Sequence, residues 1–378
     1  MLQHLKYLEQ QRFLIEQMIQ AVVNQESPTS SKQCCDRAAE WIKDLFAKNL
    51  DCTASIMEQN TTGNSVLVEW GHGPKQILIV GHFDTVHPLG ALKDYPFHVQ
   101  DGKIYGPGIY DMKCGIIQAL FALKSLEEHP QIKSSVKVKC YFNSDEEIGS
   151  PESRFAMLDL GRESQFAFVM EPSFGVQGAL KTARRGVGAF KITAHGRAAH
   201  AGNCPEEGIS AIEEVCHQVL KMQALNAPEK GIHVNCGLIN GGTARNTIPE
   251  FAQAVFDVRV DTAKAAEQFK REFHNLLPVN PEVKVSCEGD YTRPPMERNQ
   301  KQQELFLTAQ KLMWDCCRES LTQASVGGGS DGNILSAVTT VLDGMGAVGG
   351  HAHSPHEFVF ERHIIPRTAL LAALLERV

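Results

Sequence analysis

The chain has no excess of basic charge. Its 37 Lys and Arg stand against 44 Asp and Glu for a formal charge of −7. Without basic runs this argues against a nucleic-acid partner, which selects a positive face. No stretch is long and apolar enough to span a bilayer, so no membrane partner is expected. Eleven cysteines are present but follow neither a disulfide framework nor a zinc-ribbon spacing, since Cys34-Cys35 and Cys316-Cys317 are adjacent pairs; a reducing cytoplasm fits that usage. Residues 1–23 lack the uninterrupted apolar region of a secretory signal, because Lys6, Glu9, Arg12 and Glu16 interrupt it. They read as an amphipathic helix with Leu14, Met18 and Val22 on the buried stripe. Internal repeats and low-complexity linkers are also missing.

At 378 residues, 43% apolar and 21% charged, the chain is globular and too long for one ordinary domain. From Val66 onward apolar runs alternate with helical stretches, the pattern of a mostly parallel sheet wound with helices. The candidate strands are residues 77–81, 136–143, 166–170 and 339–342, with a helix over 115–128. Metal-ligand residue types follow each strand. After the first come His82 and Asp84; after the second, Asp145, Glu146 and Glu147; after the third, Glu171; after the fourth, past a glycine-rich turn, His351 and His353. In an open α/β sheet the carboxyl ends of the strands line one crevice, which Asp111, in the loop 106–114, can also reach. Side chains two apart in an extended segment share a face. Asp84 can therefore sit behind His82 and take one ring proton while the other nitrogen binds metal.

Residues 184–292 have a different rhythm. Strand-like 188–194 leads to a helix over 206–225, strands over 232–239 and 252–260, a helix over 263–276 and a strand over 282–287. That βαββαβ order is a ferredoxin-like unit, inserted into a catalytic domain formed by 1–183 and 293–378. Together His82, Asp111, Glu146, Glu147, Glu171 and His353 offer nitrogen and carboxylate ligands without thiolates. Such a donor set suits a hydrolytic zinc site and is large enough for two ions bridged by one carboxylate.

These residues resemble the co-catalytic zinc peptidases and deacylases that include glutamate carboxypeptidase, aminoacylase, acetylornithine deacetylase and succinyl-diaminopimelate desuccinylase. The resemblance rests on Gly-His-Phe-Asp-Thr-Val at 81–86, Gly-Ile-Tyr-Asp-Met-Lys at 108–113, Asp-Glu-Glu-Ile-Gly at 145–149, Glu171-Pro172 and His353, in the family's order. Within the insert, Ala-His-Ala-Gly at 199–202, Asn-Thr-Ile-Pro at 246–249 and Asp-Val-Arg at 257–259 look like marks of the family's lid, or dimerisation, domain. The resemblance implies Asp111 as bridging ligand, His82 and Glu171 on one zinc, and Glu147 and His353 on the other. It makes Glu146 the general base, Asp84 the partner of His82, His200 the oxyanion donor, and Asn246 and Arg259 the grip on a substrate carboxylate. It further implies a cis Asp111–Met112 peptide and a homodimer. Glutamate carboxypeptidase is the nearest resemblance, because Glu stands at 171 and both Asn246 and Arg259 are present; an N-acyl-amino-acid deacylase is the rival.

Two patterns point elsewhere. Residues 328–332, Gly-Gly-Ser-Asp-Gly, satisfy a nucleophile elbow, with Asp343 and His351 following in serine-hydrolase order, but residues 321–326 before it form a weak strand. Residues 344–349 match a dinucleotide fingerprint without a helix after it.

Overall fold

A computed structural model describes residues 1–377. The chain forms two compact units, one of Met1–Ala183, Arg298–Val326 and Ser330–Val378, the other of Arg184–Glu297 and Gly327–Gly329.

The larger unit is built on a six-stranded sheet in the order Thr53–Met57, Ser65–Gly71, Val136–Asn143, Lys75–His82, Phe166–Val169 and Thr340–Leu342. Lys75–His82 pairs parallel with both its neighbours, and Phe166–Val169 pairs parallel with Thr340–Leu342. The first two strands are antiparallel additions at one edge, so the sheet is the mostly parallel one expected. Ile77 to His82 are buried without alternation, as befits a central strand covered on both faces. The helix Cys114–Glu127 is buried nearly all round and shares its core with the C-terminal helix Glu361–Arg377.

The amino-terminal segment departs from its expected form. It is two helices, Leu2–Gln10 and Arg12–Val23. The stripe buried in the second is Ile15, Ile19, Val22 and Val23, with Leu14 and Met18 only partly buried. Val22 is buried as expected, while Ile15 and Ile19, one position on from Leu14 and Met18, face the core in their place. No helix among the described residues is long and apolar enough to cross a membrane.

A second, four-stranded sheet in this unit explains how two distant loops meet. Phe358–Phe360 pairs with Gly349–Gly350 on one side and with Lys103–Tyr105 on the other. The tip of that hairpin carries His351 to Glu357, and Lys103–Tyr105 leads straight into the loop that carries Asp111.

The smaller unit is the βαββαβ arrangement. Its antiparallel sheet runs Ile232–Gly241, Phe251–Val260, Gly186–His195 and Lys284–Arg293. Phe251–Val260 alternates strictly. Its buried face packs with Phe190 and Ile192 against Val215, Met222, Phe269 and Phe273. Both helices begin with capping side chains: Ser210 accepts from Glu213 N, and Thr262 from Ala265 N. The first starts at Ala211, five residues later than its periodicity suggested, because Pro205–Glu207 forms a separate turn. The last strand runs on to Arg293, through Gly289, because Gly186–His195 supplies a ladder along its whole length.

Candidate metal centre

Parallel strands deliver their carboxyl ends to one edge, and the charged residues gather there. His82 closes Lys75–His82 and is 1% exposed, and Glu171 follows Phe166–Val169 at 7%. Glu146 and Glu147 open a single short turn after Val136–Asn143. Asp84 ties the first and third of these segments together. It accepts from Glu146 N at 3.3 Å and Glu147 N at 3.2 Å, while Thr29 Oγ1 donates to it at 2.9 Å. His82 Nδ1 lies 3.1 Å from the Asp84 carbonyl and 3.3 Å from its carboxylate. The other nitrogen is thereby turned into the crevice.

There His82 Nε2 sits 3.1 Å from Asp111 Oδ1 and 3.5 Å from Glu171 Oε1. His353 Nε2 sits 3.3 Å from Asp111 Oδ2 and 3.3 Å from Glu147 Oε2. Each oxygen of Asp111 thus faces a different imidazole, the disposition a bridging carboxylate needs. The Asp111–Met112 peptide is cis, and His353 adopts a left-handed φ of 61°. Lys181, largely buried, places its ammonium 3.8 Å from Glu171 Oε2.

The electrostatics ask for positive charge. Burial alone would lower the pKa of His82, yet hydrogen bonds to Asp111, Asp84 and Glu171 raise it well above the ordinary imidazole value. Hydrogen bonds to Asp111 and Glu147 push His353 up to about 10. Burial would raise Asp111, but the two imidazoles hold its carboxyl far below the usual carboxylate range. Burial raises Glu147, with the Asp111 charge adding to it against the His353 hydrogen bond. One buried oxygen, Glu147 Oε1, has no hydrogen-bond partner. Ligand atoms of His82, Glu146 and Glu171 lie within 4.8 Å of one another, and so do those of His82, Asp111 and Glu147. Both groups share His82, whose one crevice-facing nitrogen can serve a single ion, and His353 beside Asp111 and Glu147 supplies the imidazole a second ion would need. Divalent cations held in this way would replace the protons the carboxylates hold on the imidazoles, and would give the orphaned oxygen a partner. The residues present fit a pair of such ions.

In the smaller unit, His200 and Asn246 come together locally. Ala199–His200 pairs with Thr247–Ile248, and Ala201 N donates to the Asn246 carbonyl at 3.0 Å. His200 Nδ1 accepts from Gly202 N and Asn203 N at 3.1 and 3.0 Å, which leaves the proton on Nε2. Arg259 Nε and Nη2 donate to the two oxygens of Asp257 at 2.7 and 2.9 Å, and Nη1 lies 3.3 Å from the Gly327 carbonyl.

The elbow-like serine has a different task. Ser330 caps the helix Asp331–Leu335, accepting from Gly332 N at 3.0 Å and donating to Asp343 Oδ2 at 2.6 Å. Its hydroxyl is fully buried, so it serves the fold and not as a nucleophile. The fingerprint-like loop after Leu342 buttresses the Glu171 segment, with Gly346 N donating to the Glu171 carbonyl at 3.0 Å. Sequence reasoning passed over Glu357 and His87. Glu357 is 1% exposed and accepts from Gly108 N, Tyr110 N and Asp111 N, as well as from His87 Nε2. The only signal was its position four residues after His353.

Nitrogen and carboxylate donors without thiolates, gathered where parallel strands end, define a metal-dependent hydrolase. The chain belongs to peptidase family M20/M25/M40, whose model matches residues 78–377. It is 26% identical to carboxypeptidase G2 of a Pseudomonas species over 94% of this chain and 87% of that protein. It is 25% identical to a succinyl-diaminopimelate desuccinylase of Wolbachia pipientis over 90% and 87%. The fold is that of aminopeptidase PepT from Bacillus cereus, with a TM-score of 0.75 at 18% identity over 97% of this chain and 98% of that one. A dinuclear metal-binding peptidase of the same family from Bacillus subtilis gives a TM-score of 0.71 at 15% identity over 97% and 98%.

Proposed function

We propose that the protein is a two-zinc hydrolase that cleaves the amide bond beside a free carboxylate, acting as a carboxypeptidase that releases glutamate or a similar C-terminal amino acid. The observation that carries this reading is the position of Asp111 between His82 and His353, with Glu147 and Glu171 on either side. His82 and Glu171 would hold one ion, Glu147 and His353 the other, and Asp111 both. Bound there, zinc would polarise the scissile carbonyl and lower the pKa of a water between the ions.

The chain's own groups do the rest. Glu146 takes a proton from the attacking water and returns it to the leaving amine. His200, protonated on Nε2, donates to the oxyanion, serving the partner subunit's site in a homodimer. Asn246 and Arg259 hold the substrate carboxylate. With Nε and Nη2 on Asp257 and one N–H of Nη1 on the Gly327 carbonyl, the guanidinium keeps its plane and offers the N–H groups left over on Nη1 and Nη2. All eleven cysteines are free thiols, which supports a cytoplasmic setting.

The desuccinylase likeness favours a second reading, an N-acyl-amino-acid deacylase, which also cleaves beside a carboxylate. A panel of N-acyl amino acids and dipeptides, assayed after chelator dialysis and again after zinc is restored, separates the readings. The stripped protein should be inactive, zinc should return activity, and acyl-glutamates should be cut faster than N-acetyl derivatives of other amino acids. Full activity without metal would end the zinc proposal; equal rates on all N-acetyl amino acids would favour the deacylase.

A further inference from the structure

The segment that carries Asp111, Ile109–Lys113, is a single wide helical turn broken at Asp111 and Met112. Gly108 opens it at a left-handed φ of 70°, and Asp111 and Met112 have non-helical backbone angles inside an otherwise wound turn. Such a segment leaves its N–H groups without the partners a helix or strand supplies, and buried N–H groups need partners. Here one side chain provides them. Glu357 Oε1 accepts from Tyr110 N at 2.8 Å and Asp111 N at 2.9 Å; Glu357 Oε2 accepts from Gly108 N at 2.9 Å and His87 Nε2 at 2.7 Å. The chain returns the contact, since Gly106 N faces the Glu357 carbonyl at 3.4 Å.

Four donors converge on two oxygens, and at least three of them, being backbone N–H groups, cannot reverse. Only a carboxylate offers acceptors on both sides. Glu357 also sits on the hairpin tip that carries His353. One short segment therefore supplies a ligand-type imidazole facing Asp111 Oδ2 and the anchor that fixes the Asp111 backbone.

We infer that Glu357, held by His87, is a positioning residue for the metal centre: it clamps the loop 108–111 onto the His353 hairpin, so that the Asp111 carboxylate reaches both imidazoles. This rests on the proposed role of Asp111 as the shared ligand. Glu357→Gln keeps the size of the side chain but turns an amide NH2 against two donors. The loop then loses its register, and with it the distance between Asp111 and one of the two imidazoles.

The test uses the full chain, stripped of metal and titrated with Co2+, whose d–d absorption reports ligand geometry. Thermal midpoints of the metal-free proteins are measured alongside. Glu357→Gln should bind at least one Co2+ about 10- to 100-fold more weakly than wild type, the usual cost of losing a residue that orients a ligand, and its absorption band should change shape. Glu357→Asp should recover less than the full affinity, because the shorter arm does not span all four donors. A lowered midpoint with wild-type Co2+ affinity and spectrum would make Glu357 a purely structural residue and overturn the inference.

If Glu357→Gln does not fold, His87→Phe decides. It keeps ring volume and removes one donor, and should still weaken Co2+ and shift the band; an unchanged titration would overturn the clamp. Asp111→Asn separates the two layers of argument. Wild-type Co2+ binding by Asp111→Asn would sink the shared-ligand reading and the clamp with it, whereas loss in Asp111→Asn with none in Glu357→Gln would sink the clamp alone.

Discussion

In the larger unit, His82, Asp84, Glu146 and Glu171 are buried at the ends of strands whose faces are both covered. In the smaller unit His200 and Asn246 are exposed, and Arg259 is answered by a carboxylate two residues away on its own strand. The difference follows from sheet type. Parallel strands leave their carboxyl ends together at one edge, so residues far apart in sequence become neighbours in a sheltered crevice. An antiparallel sheet with one wet face has no such edge; its polar residues alternate outward and find partners locally. Close contacts between imidazoles and carboxylates raise the pKa of His82 and lower that of Asp111 against the opposite pull of burial, and so many carboxylates out of water make the first site demanding of cations.

Substitutions can break or sharpen that contrast, and the largest effect is expected in the buried site. Glu146→Gln should keep its metal yet lose about a hundredfold or more in turnover, because only the proton acceptor is removed, while Glu147→Gln should lose metal as well. Metal analysis per chain beside kcat checks both, and equal metal loss in the two variants would show that base and ligand are wrongly assigned.

A smaller effect is expected at Arg259. Arg259→Lys should lower kcat/KM for an acyl-glutamate by about 2–4 kcal/mol, the scale of an interrupted charged contact, with zinc content unchanged. A lysine ammonium has no planar fork with which to satisfy Asp257 and a substrate together. An amide-capped substrate should suffer much less. Equal losses on both would reduce Arg259 to an ion pair that supports the insert.

The smallest effect belongs to the insert's own stability. Ser210→Ala removes the cap that accepts from Glu213 N and should cost about 1 kcal/mol in denaturant unfolding. Metal content and kcat should stay at wild-type values. A loss of metal in that variant would erase the distinction between a self-supporting insert and a separately built metal site.

Much of this was legible from residue order. The runs ending at Gly81, Asn143 and Leu342 are strong β-formers followed at once by polar residues, and the boundaries they imply fall within a few residues of those observed. The insert's βαββαβ order was equally plain, because its period switches cleanly between two and 3.6. The edge strand Thr53–Met57 was not legible: none of its residues is fully buried, Ala54 and Ile56 only partly covering the core, and it depends on pairing with Ser65–Gly71. The amino-terminal stripe was legible only in part: Val22 is buried as expected, but Leu14 and Met18 keep helical spacing as well as Ile15 and Ile19 do, and only the surface they pack against chooses between them.

The sequence by itself determined the donor types and the strands that end in them, because hydrophobic period and residue chemistry are local properties. Only the tertiary structure decided that Asp111 stands between His82 and His353, since the hairpin bearing His353, 242 positions further along the chain, closes onto its loop. The tertiary structure also singled out Glu357. A lone glutamate carries no local mark of its use; what distinguishes it is four donors converging on its two oxygens, and convergence exists only once the chain has folded.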